Sequence, residues 1–400
     1  MRVSSVVLAA AVGVATVSAA TAPVLAAKVP TAQRLPAAAS ATNPGATAAS
    51  LGLAASSTGV PEAAVLGKRN SLDYLTKVRG KWKRTQVAGP NSAFSAPVVV
   101  SGPGTDAAIA VEGASHSLAV YVKINGHWRH LKVAGRNTTY AAPSLVATPS
   151  GAGTIATEGK NHSLWFRWQT NGSRWDVKEI LGSGRDYSAP SLVIRDSSQA
   201  GGLGGAGQAD IAYQGPDNAL AYAYSTSSYR AWVNDVIGAK RAYSAPSLVV
   251  LDGTDATQGE AFVAVEGAKH SLWNYYATTS TLFTGQEVLG NRYAYSAPSA
   301  VQNNLDPNHA IEIAYRGASD SLGILLSPDG THWQNDPLGR AGGVESAPAL
   351  VAQPNNGQLD LIYQGGSNTL WYLGAPVPST DIAPAFSASK IGGKGSAYGG

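Results

Sequence analysis

Apolar residues in this chain fall in runs of strand length, and short segments rich in Gly, Pro, Asn and Ser separate these runs. Residues 245–295 contain one full set, which reads "APSLVVL" (245–251), "AFVAVEG" (261–267), "SLWNYYATT" (271–279) and "LFTGQEVLG" (282–290). Runs of this length, rich in β-branched and aromatic residues and bounded by turn residues, are typical of β-strands. The pattern therefore predicts four strands in this stretch.

The same set recurs along the chain. The opening run is repeated as "SAFSAPVVV" (92–100), "TYAAPSLVA" (139–147), "RDYSAPSLVI" (185–194), "YAYSAPSAV" (293–301) and "VESAPALVA" (344–352), with a degenerate copy in "TAASLGLAASS" (47–57). Each fourth run carries an aromatic residue shortly before a glycine, for example Trp232 before Gly238. The repeats start near residues 48, 96, 142, 189, 245, 297 and 347, which gives seven units.

Seven units of four strands predict an all-β fold: a seven-bladed β-propeller over residues 48–400, with four antiparallel strands per blade. One blade cannot bury both of its faces, whereas a closed ring of blades does so and leaves little exposed edge. An open solenoid is the alternative. Solenoids need capping repeats, and the last unit, which ends in "SAYGG" (396–400), shows none.

The first 27 residues resemble an export signal. Arg2 supplies a positive start, residues 6–20 are apolar, and small residues offer a cleavage site near Ala26 or Ala27. A membrane anchor is the alternative, but the apolar segment is interrupted by Ser and Thr and falls short of the roughly 20 residues that a span needs. We expect a secreted protein with no membrane insertion after signal removal, and a flexible Ala/Pro-rich linker at residues 28–47.

Composition constrains both the fold and the possible partners. The chain has no cysteine, so an exported protein of this kind depends on core packing, which favours a large closed β-fold. The formal net charge of +4 is spread along the chain without a basic run. Nucleic acid is therefore not an expected partner.

The turn between the second and third runs carries the candidate chemistry. The last residue of this turn, called the turn residue below, is always Asn, Asp or His: Asn70, His116, His162, Asn218, His270, Asp320 and Asn368. These residue types tolerate a left-handed backbone and bond to their own turn, so turn formation alone explains them. A role in ligand binding is the second interpretation.

Three units add a polar residue before the turn glycine and a tryptophan after the turn. The three sets are Glu158, His162 and Trp165; Glu266, His270 and Trp273; and Gln364, Asn368 and Trp371. Residues that flank a short hairpin turn are expected to lie close together. A sugar stacks its C–H face on an indole and bonds its hydroxyls to planar polar groups, so we predict carbohydrate-binding sites here. Packing of these tryptophans between blades is the alternative.

The repeat resembles that of the PLL-like bacterial lectins. The resemblance covers about residues 48–400 and rests on the Ser-Ala-Pro start, the Gly-x-Asp-Asn-Ala-Leu turn from Gly215 to Leu220, and the Trp-to-Gly fourth run. It implies a secreted seven-bladed propeller that binds fucose or related sugars of fucosylated glycans. The family repeat favours Arg before the turn glycine and Trp after the leucine. Only Arg316 supplies the first, and four of the seven units lack the second.

An enzyme and a scaffold are the remaining function classes. Glu112, Glu158 and Glu266 occupy one repeated position, so they would lie around the ring rather than face one another as glycosidase carboxylates do. No nucleophile elbow or zinc motif is visible. We therefore expect a protein that is not an enzyme and uses no cofactor and no metal. A propeller that binds proteins or the cell envelope is the alternative to glycan binding.

Overall fold

The structure is a computed structural model that describes residues 51–102, 105–147, 153–171, 174–195, 207–251, 260–279, 282–303, 305–306, 311–339, 343–376 and 384–398. The expected export signal and linker lie outside these ranges. Within them, the strands form seven separate sheets of four strands each. No helix among the described residues has the length and apolar character needed to cross a membrane.

The strands divide evenly among the blades. Blades 1 and 2 contain β1 (Leu51–Ala55), β2 (Pro61–Gly67), β3 (Ser71–Val78), β4 (Lys81–Ala88), β5 (Val98–Gly102), β6 (Thr105–Gly113), β7 (Ser117–Ile124) and β8 (His127–Ala134). Blades 3 and 4 contain β9 (Ser144–Ala147), β10 (Gly153–Gly159), β11 (Ser163–Asn171), β12 (Arg174–Leu181), β13 (Ser191–Ile194), β14 (Ala209–Gln214), β15 (Leu220–Ser227) and β16 (Ala231–Gly238).

The second half of the ring repeats this arrangement. Blades 5 to 7 contain β17 (Ser247–Leu251), β18 (Glu260–Glu266), β19 (Leu272–Thr279), β20 (Leu282–Leu289), β21 (Ser299–Gln302), β22 (Ile311–Arg316), β23 (Leu322–Ser327), β24 (Gln334–Pro337), β25 (Ala349–Ala352), β26 (Leu359–Gly365), β27 (Thr369–Ala375) and β28 (Ser387–Gly392). Short 3₁₀ turns lie between the second and third strands of blades 4 to 7, at Pro216–Asn218, Ala268–His270, Ala318–Asp320 and Gly366–Asn368.

The sheets form a closed ring. In every blade the four strands pair in chain order and antiparallel, as in β17, β18, β19 and β20 of blade 5. Each first strand contacts the first strand of the next blade, and β25 of the last blade contacts β1 of the first. The predicted all-β, seven-bladed propeller is confirmed, and the open solenoid is wrong.

The segment that follows the last blade closes the ring. In an ordinary link between blades, the Tyr243 N–H donates to the carbonyl of Glu266 in the next blade at 2.8 Å. After blade 7, the Tyr398 N–H donates to the carbonyl of Leu66 in blade 1 at 3.1 Å, and Ala397 lies fully buried beside the first blade. Residues 396–398 therefore take the place of a link between blade 7 and blade 1.

The serines of the repeated Ser-Ala-Pro-Ser motif form hydrogen bonds within a blade and between neighbouring blades. Its first serine accepts a backbone N–H from the second strand of the same blade, as Ser346 does from Gln364 at 3.0 Å. Its second serine accepts one from the first strand of the next blade, as Ser191 does from Leu248 at 2.9 Å. Four blade pairs share this second contact, through Ser144, Ser191, Ser247 and Ser299. The motif therefore recurs because it forms the same hydrogen bonds at several blade junctions.

The hydrophobic core lies between the blades. Among the described residues it forms seven clusters, each built from two neighbouring blades. The aromatic residue of a fourth strand often packs on a third-strand ring of the preceding blade. Trp128 meets Tyr74 edge-on with ring centroids 5.1 Å apart, and Phe283 lies 4.8 Å from Tyr222. These aromatic residues are therefore structural.

Candidate functional site

The turn residue has a backbone role in every blade. It has a positive φ and follows another residue of positive φ; in blade 3 the two are Asn161 (58°) and His162 (60°). Two successive left-handed residues define the tight turns that suit twisted β-hairpins, and Asn, Asp and His are among the residues that adopt this conformation most readily. The turn interpretation is confirmed. Its carbonyl also accepts two N–H groups from the following link, as His162 does from Arg185 and Asp186.

The side chain of the turn residue pairs with the residue before the turn glycine, four positions earlier. The Nδ1–H of His162 donates to Oε1 of Glu158 at 2.6 Å, and the amide of Gln214 donates to the Asn218 side chain at 2.8 Å. The pairs in the six blades with a polar residue at both positions are Glu112–His116, Glu158–His162, Gln214–Asn218, Glu266–His270, Arg316–Asp320 and Gln364–Asn368. From blade to blade, a change of the first residue from acceptor to donor is matched by a change of the second from donor to acceptor. The feature that the six blades share is therefore the hydrogen bond between the two side chains.

The carboxylates in these pairs are buried. Glu158 is 6% exposed and Glu266 is 8% exposed. Burial raises the pKa of both carboxyl groups, and the hydrogen bond from the neighbouring imidazole opposes that rise.

Each imidazole also stacks on a tyrosine of the next link. The ring centroids of His162 and Tyr187 are 4.3 Å apart, and those of His270 and Tyr295 are 4.1 Å apart.

Strand register separates these pairs from the tryptophans. Glu158 lies opposite Leu164 on the neighbouring strand, whereas Trp165 lies opposite Thr157. Directly paired residues share a face and successive residues alternate, so Glu158 and Trp165 lie on opposite faces of blade 3. The same register separates Glu266 from Trp273 and Gln364 from Trp371. The expected grouping of all three residues of a set in one pocket does not occur.

Each blade therefore contributes to two different grooves. The face with Glu158 and His162 turns toward blade 4, because Leu164 and Phe166 share it and pack on Ile211 there. Trp165 turns toward blade 2, where it shares a cavity with Thr138. In blade 5, a depression of about 580 Å³ beside His270 is lined by Lys269, Asn291, Arg292 and Tyr295, and Trp273 is not part of it.

The three tryptophans have the same local setting. The indole N–H of Trp165 donates to the Ser163 hydroxyl at 2.8 Å, and Trp273 and Trp371 bond to Ser271 and Thr369 in the same way. The indole edge lies against the turn glycine: a Cβ at Gly159 would stand 2.5 Å from Trp165. Since the indole nitrogen is already bonded and the ring is half-buried, each tryptophan can offer only a ring face to a ligand.

The three ring faces differ in what covers them. The Arg241 guanidinium lies over the Trp273 ring, 3.9 Å from its centroid, so a ligand at this ring has to displace a cation–π contact. Trp371 packs at the edge of the core cluster between blades 6 and 7. The Trp165 ring lines an open groove, and the guanidinium nearest to it, that of Arg167, is 5.9 Å from its centroid.

The groove between blades 2 and 3, called groove 2/3 below, has a volume of about 390 Å³. Its wall on the blade 3 side is formed by Ser163, Trp165 and Arg167 of β11 together with β12 residues. Its wall on the blade 2 side is the end of β8 and the following link, with Asn137 and Thr138. An aromatic face, three hydroxyls, an amide and charged groups therefore converge on a space that can hold a small ligand.

Arg167 is the groove residue that our sequence predictions missed. It is 5% exposed, and its guanidinium donates to Oγ1 of Thr157 at 2.8 Å. The signal was present in the repeat: the residue two places after the tryptophan position is apolar or tyrosine in the other units, namely Leu75, Tyr121, Ala223, Tyr275, Leu325 and Leu373. Thr157 likewise occupies a position that is Val or Tyr elsewhere.

Among the residues that the structure describes, no group of three or more His, Asp or Glu side chains is placed to hold a metal ion.

Comparisons by sequence give no match either to a protein-family model or to a curated protein.

Comparison with solved structures does find relatives in fold. The chain superposes on the BP39L lectin from Burkholderia pseudomallei with a TM-score of 0.71 and 14% identity, over 88% of this chain and 99% of that chain. For AofleA from Arthrobotrys oligospora the TM-score is 0.55 and the identity 11%, over 88% and 91%. For an Aleuria aurantia lectin variant in complex with Fucα1-6GlcNAc the values are 0.51 and 12%, over 75% and 100%.

These neighbours show that the chain has a β-propeller fold similar to that of the lectins named above. The Aleuria aurantia lectin has a six-bladed propeller fold and a novel fucose recognition mode. The resemblance to lectin propellers drawn from the repeat is thus confirmed for the fold. The role of Glu158, His162, Trp165, Glu266, His270, Trp273, Gln364, Asn368 and Trp371 in sugar binding stays a prediction.

Proposed function

We propose that this chain is a secreted carbohydrate-binding propeller whose principal site is groove 2/3. The observation that carries the proposal is the open face of Trp165 in a groove with hydroxyl, amide and guanidinium groups around it. Apolar C–H groups of a sugar ring stack on an aromatic face, and its hydroxyls bond to planar polar side chains. Among the lectin neighbours in fold, the Aleuria aurantia lectin variant was solved with Fucα1-6GlcNAc, which supports the same class of ligand.

The rings at Trp273 and Trp371 are proposed as further, weaker sites for fucosylated or related glycans. At Trp273 the Arg241 guanidinium occupies the place of the sugar, so binding there costs the cation–π contact. Several weak sites on one propeller would increase its overall affinity for a surface that presents many sugars. After the first site has bound, binding at a second site becomes intramolecular.

The proposed activity is binding without cleavage. Glycoside hydrolysis needs two carboxyl groups that flank one glycosidic bond. Glu112, Glu158 and Glu266 lie in three different blades, and each one is paired with the histidine of its own turn. Groove 2/3 is lined by two carboxyl groups, those of Asp176 and Glu179. Asp176 forms an ion pair with Arg174, and Glu179 is exposed.

Replacing Trp165 with alanine is expected to weaken glycan binding by at least about 10-fold, which corresponds to about 1.4 kcal/mol. The reason is that the stacking face is lost while the groove walls remain. Isothermal titration with the strongest ligand from a glycan array measures the change. Tyr243→Ala is the control, since it removes an exposed aromatic ring that is not part of groove 2/3, and it should change the affinity for that ligand less than about 3-fold.

Two results would count against the proposal. Unchanged affinity in a folded Trp165→Ala variant would remove groove 2/3 as the principal site. No binding to any glycan, combined with capture of a protein from a deglycosylated extract, would favour the scaffold alternative.

Export is a separate expectation. A full-length chain produced in an exporting host should appear outside the cell, with its N-terminus at Ala27 or Lys28, because cleavage follows Ala26 or Ala27. Mass spectrometry of the secreted protein measures this end. A variant that lacks residues 2–20 should stay inside. An intact Met1 species retained in the membrane would show instead that the segment is an anchor.

A further inference from the structure

Among the residues that the structure describes, Arg167 carries a buried positive charge with no carboxylate paired to it. In the part of the chain that the structure describes, the bond to Thr157 is the only hydrogen bond of its guanidinium, and no carboxylate forms an ion pair with it. Guanidinium has five N–H donors, so most of its bonding capacity is unused. Burying a charge without a partner is costly, and such groups are normally paired.

The same protein shows how it ordinarily buries an arginine. Arg195 is equally buried, and its guanidinium forms an ion pair with the fully buried Asp210 and bonds to the Tyr222 hydroxyl. Nearby Asp210 and Tyr222 raise the pKa of Arg195 and outweigh its burial. Burial alone lowers the pKa of Arg167 to about 10, so this side chain stays charged at neutral pH without internal compensation.

The other charged groups of groove 2/3 do not neutralise it. Asp176 lies 3.5 Å from Arg174 and pairs with that residue, and Glu179 is exposed on β12. Lys160 adds a second positive charge at the exposed edge of the groove. Among the charged side chains that line groove 2/3, Arg167 is thus the buried one, and Arg167 and Trp165 stand two residues apart on the same face of β11.

We propose that groove 2/3 selects a sugar that bears a carboxylate, a hexuronate. Its carboxylate accepts two parallel N–H bonds from Arg167, and its ring stacks on Trp165. This inference rests on the proposed function and names its ligand class. A planar carboxylate matches the guanidinium fork, and such charge-assisted pairs are about twice as strong as neutral hydrogen bonds, whereas a neutral hydroxyl leaves the charge uncompensated.

The test compares sugars that differ only in the acid group. Titration of the full chain with methyl α-D-galacturonide and with methyl α-D-galactoside at pH 7 should give at least about 10-fold tighter binding of the uronide. The glucuronide and glucoside pair serves as a second comparison. The preference should shrink in high salt, because it depends on charge.

Two substitutions at one position locate the effect. Arg167→Gln should bring uronide affinity down to that of the neutral glycoside. Arg167→Leu gives the residue found at the same position in blades 6 and 7, so it is expected to fold with equal or greater stability and still lose the preference. Arg230→Gln removes one exposed charge from blade 4 and should keep the preference within about 2-fold.

A thermal shift gives a readout that does not depend on titration. Uronide should raise the melting temperature of the unaltered protein and leave that of Arg167→Leu unchanged, because a ligand stabilises only the state that binds it. Equal affinity for acidic and neutral sugars, with both lost in Trp165→Ala, would overturn this inference and leave the proposed function standing. Tighter binding of a sulfated galactoside than of the uronide would overturn the choice of carboxylate. Absence of binding to any saccharide would overturn both.

Discussion

Replacing Phe166 with alanine is expected to lower the free energy of unfolding by about 3–5 kcal/mol. Phe166 is fully buried on the blade 3 face that meets blade 4. Its ring lies 5.1 Å from both the Tyr229 and the Trp232 rings, measured between centroids. Alanine would remove these contacts and leave a cavity between two rigid sheets that have little freedom to close it. Urea unfolding followed by tryptophan fluorescence measures the change.

Two further variants make the result interpretable. Tyr243→Ala removes an aromatic ring that is 46% exposed in the link after blade 4, so it should change the free energy of unfolding by less than about 0.5 kcal/mol. Phe166→Leu keeps most of the volume and should fall between the two. A Phe166→Ala protein as stable as the Tyr243→Ala control would show that contacts between blades 3 and 4 do not hold the ring together.

Replacing Asp186 with alanine is expected to raise the free energy of unfolding at pH 7 by about 1–3 kcal/mol, an unusual direction for a core substitution. Asp186 is fully buried in the link between blades 3 and 4, and its Oδ2 has no hydrogen-bond partner. Its Oδ1 accepts one long bond of 3.4 Å from the Ser188 N–H. The equivalent residue is alanine in four other links, namely Ala93, Ala242, Ala294 and Ala397.

The gain should depend on pH. Burial, and secondarily the nearby Glu158 carboxylate, raise the pKa of Asp186 well above its ordinary value of 3.8. A group whose pKa is raised on folding contributes stability below its unfolded pKa and loses it as the pH rises through the folded pKa. The advantage of Asp186→Ala should therefore be smallest near pH 3.8 and should grow as the pH rises toward neutrality.

Measurement of both proteins across this range isolates the effect of Asp186, because every other carboxyl group titrates in both. Asp186→Asn removes the charge but keeps a buried polar group, so it should lose the pH dependence and recover only part of the stability. A lower stability of Asp186→Ala at pH 7 would mean that the carboxylate has a stabilising partner.

The sequence alone was sufficient for the architecture. Every blade repeats the same apolar runs and the same turn, most blades begin with a version of the Ser-Ala-Pro-Ser motif, and each feature acts within a blade or between neighbours. A local pattern repeated seven times therefore specifies the ring. Even the degenerate first run proved to contain a strand, β1, because Leu51 and Leu53 still alternate with small residues.

The candidate site was only partly predictable. The choice of Asn, Asp or His in the turn follows from the left-handed backbone at positions such as His162 and Asn368. The grouping of Glu158 with Trp165 failed because hairpin register decides which face of a sheet a residue occupies, and a shift of one residue reverses it. Arg167 could have been found as the charged exception in an otherwise apolar or tyrosine position.

By itself, then, the sequence determined the number of blades, the strands within them and the residues that shape each turn, because these depend on contacts close along the chain. Only the tertiary structure decided that Trp165 faces blade 2, that Arg241 covers Trp273, and that Arg167 is buried with no paired carboxylate among the described residues. These properties arise between neighbouring blades, where residues distant in sequence meet, and no single repeat contains the information for both sides of a groove.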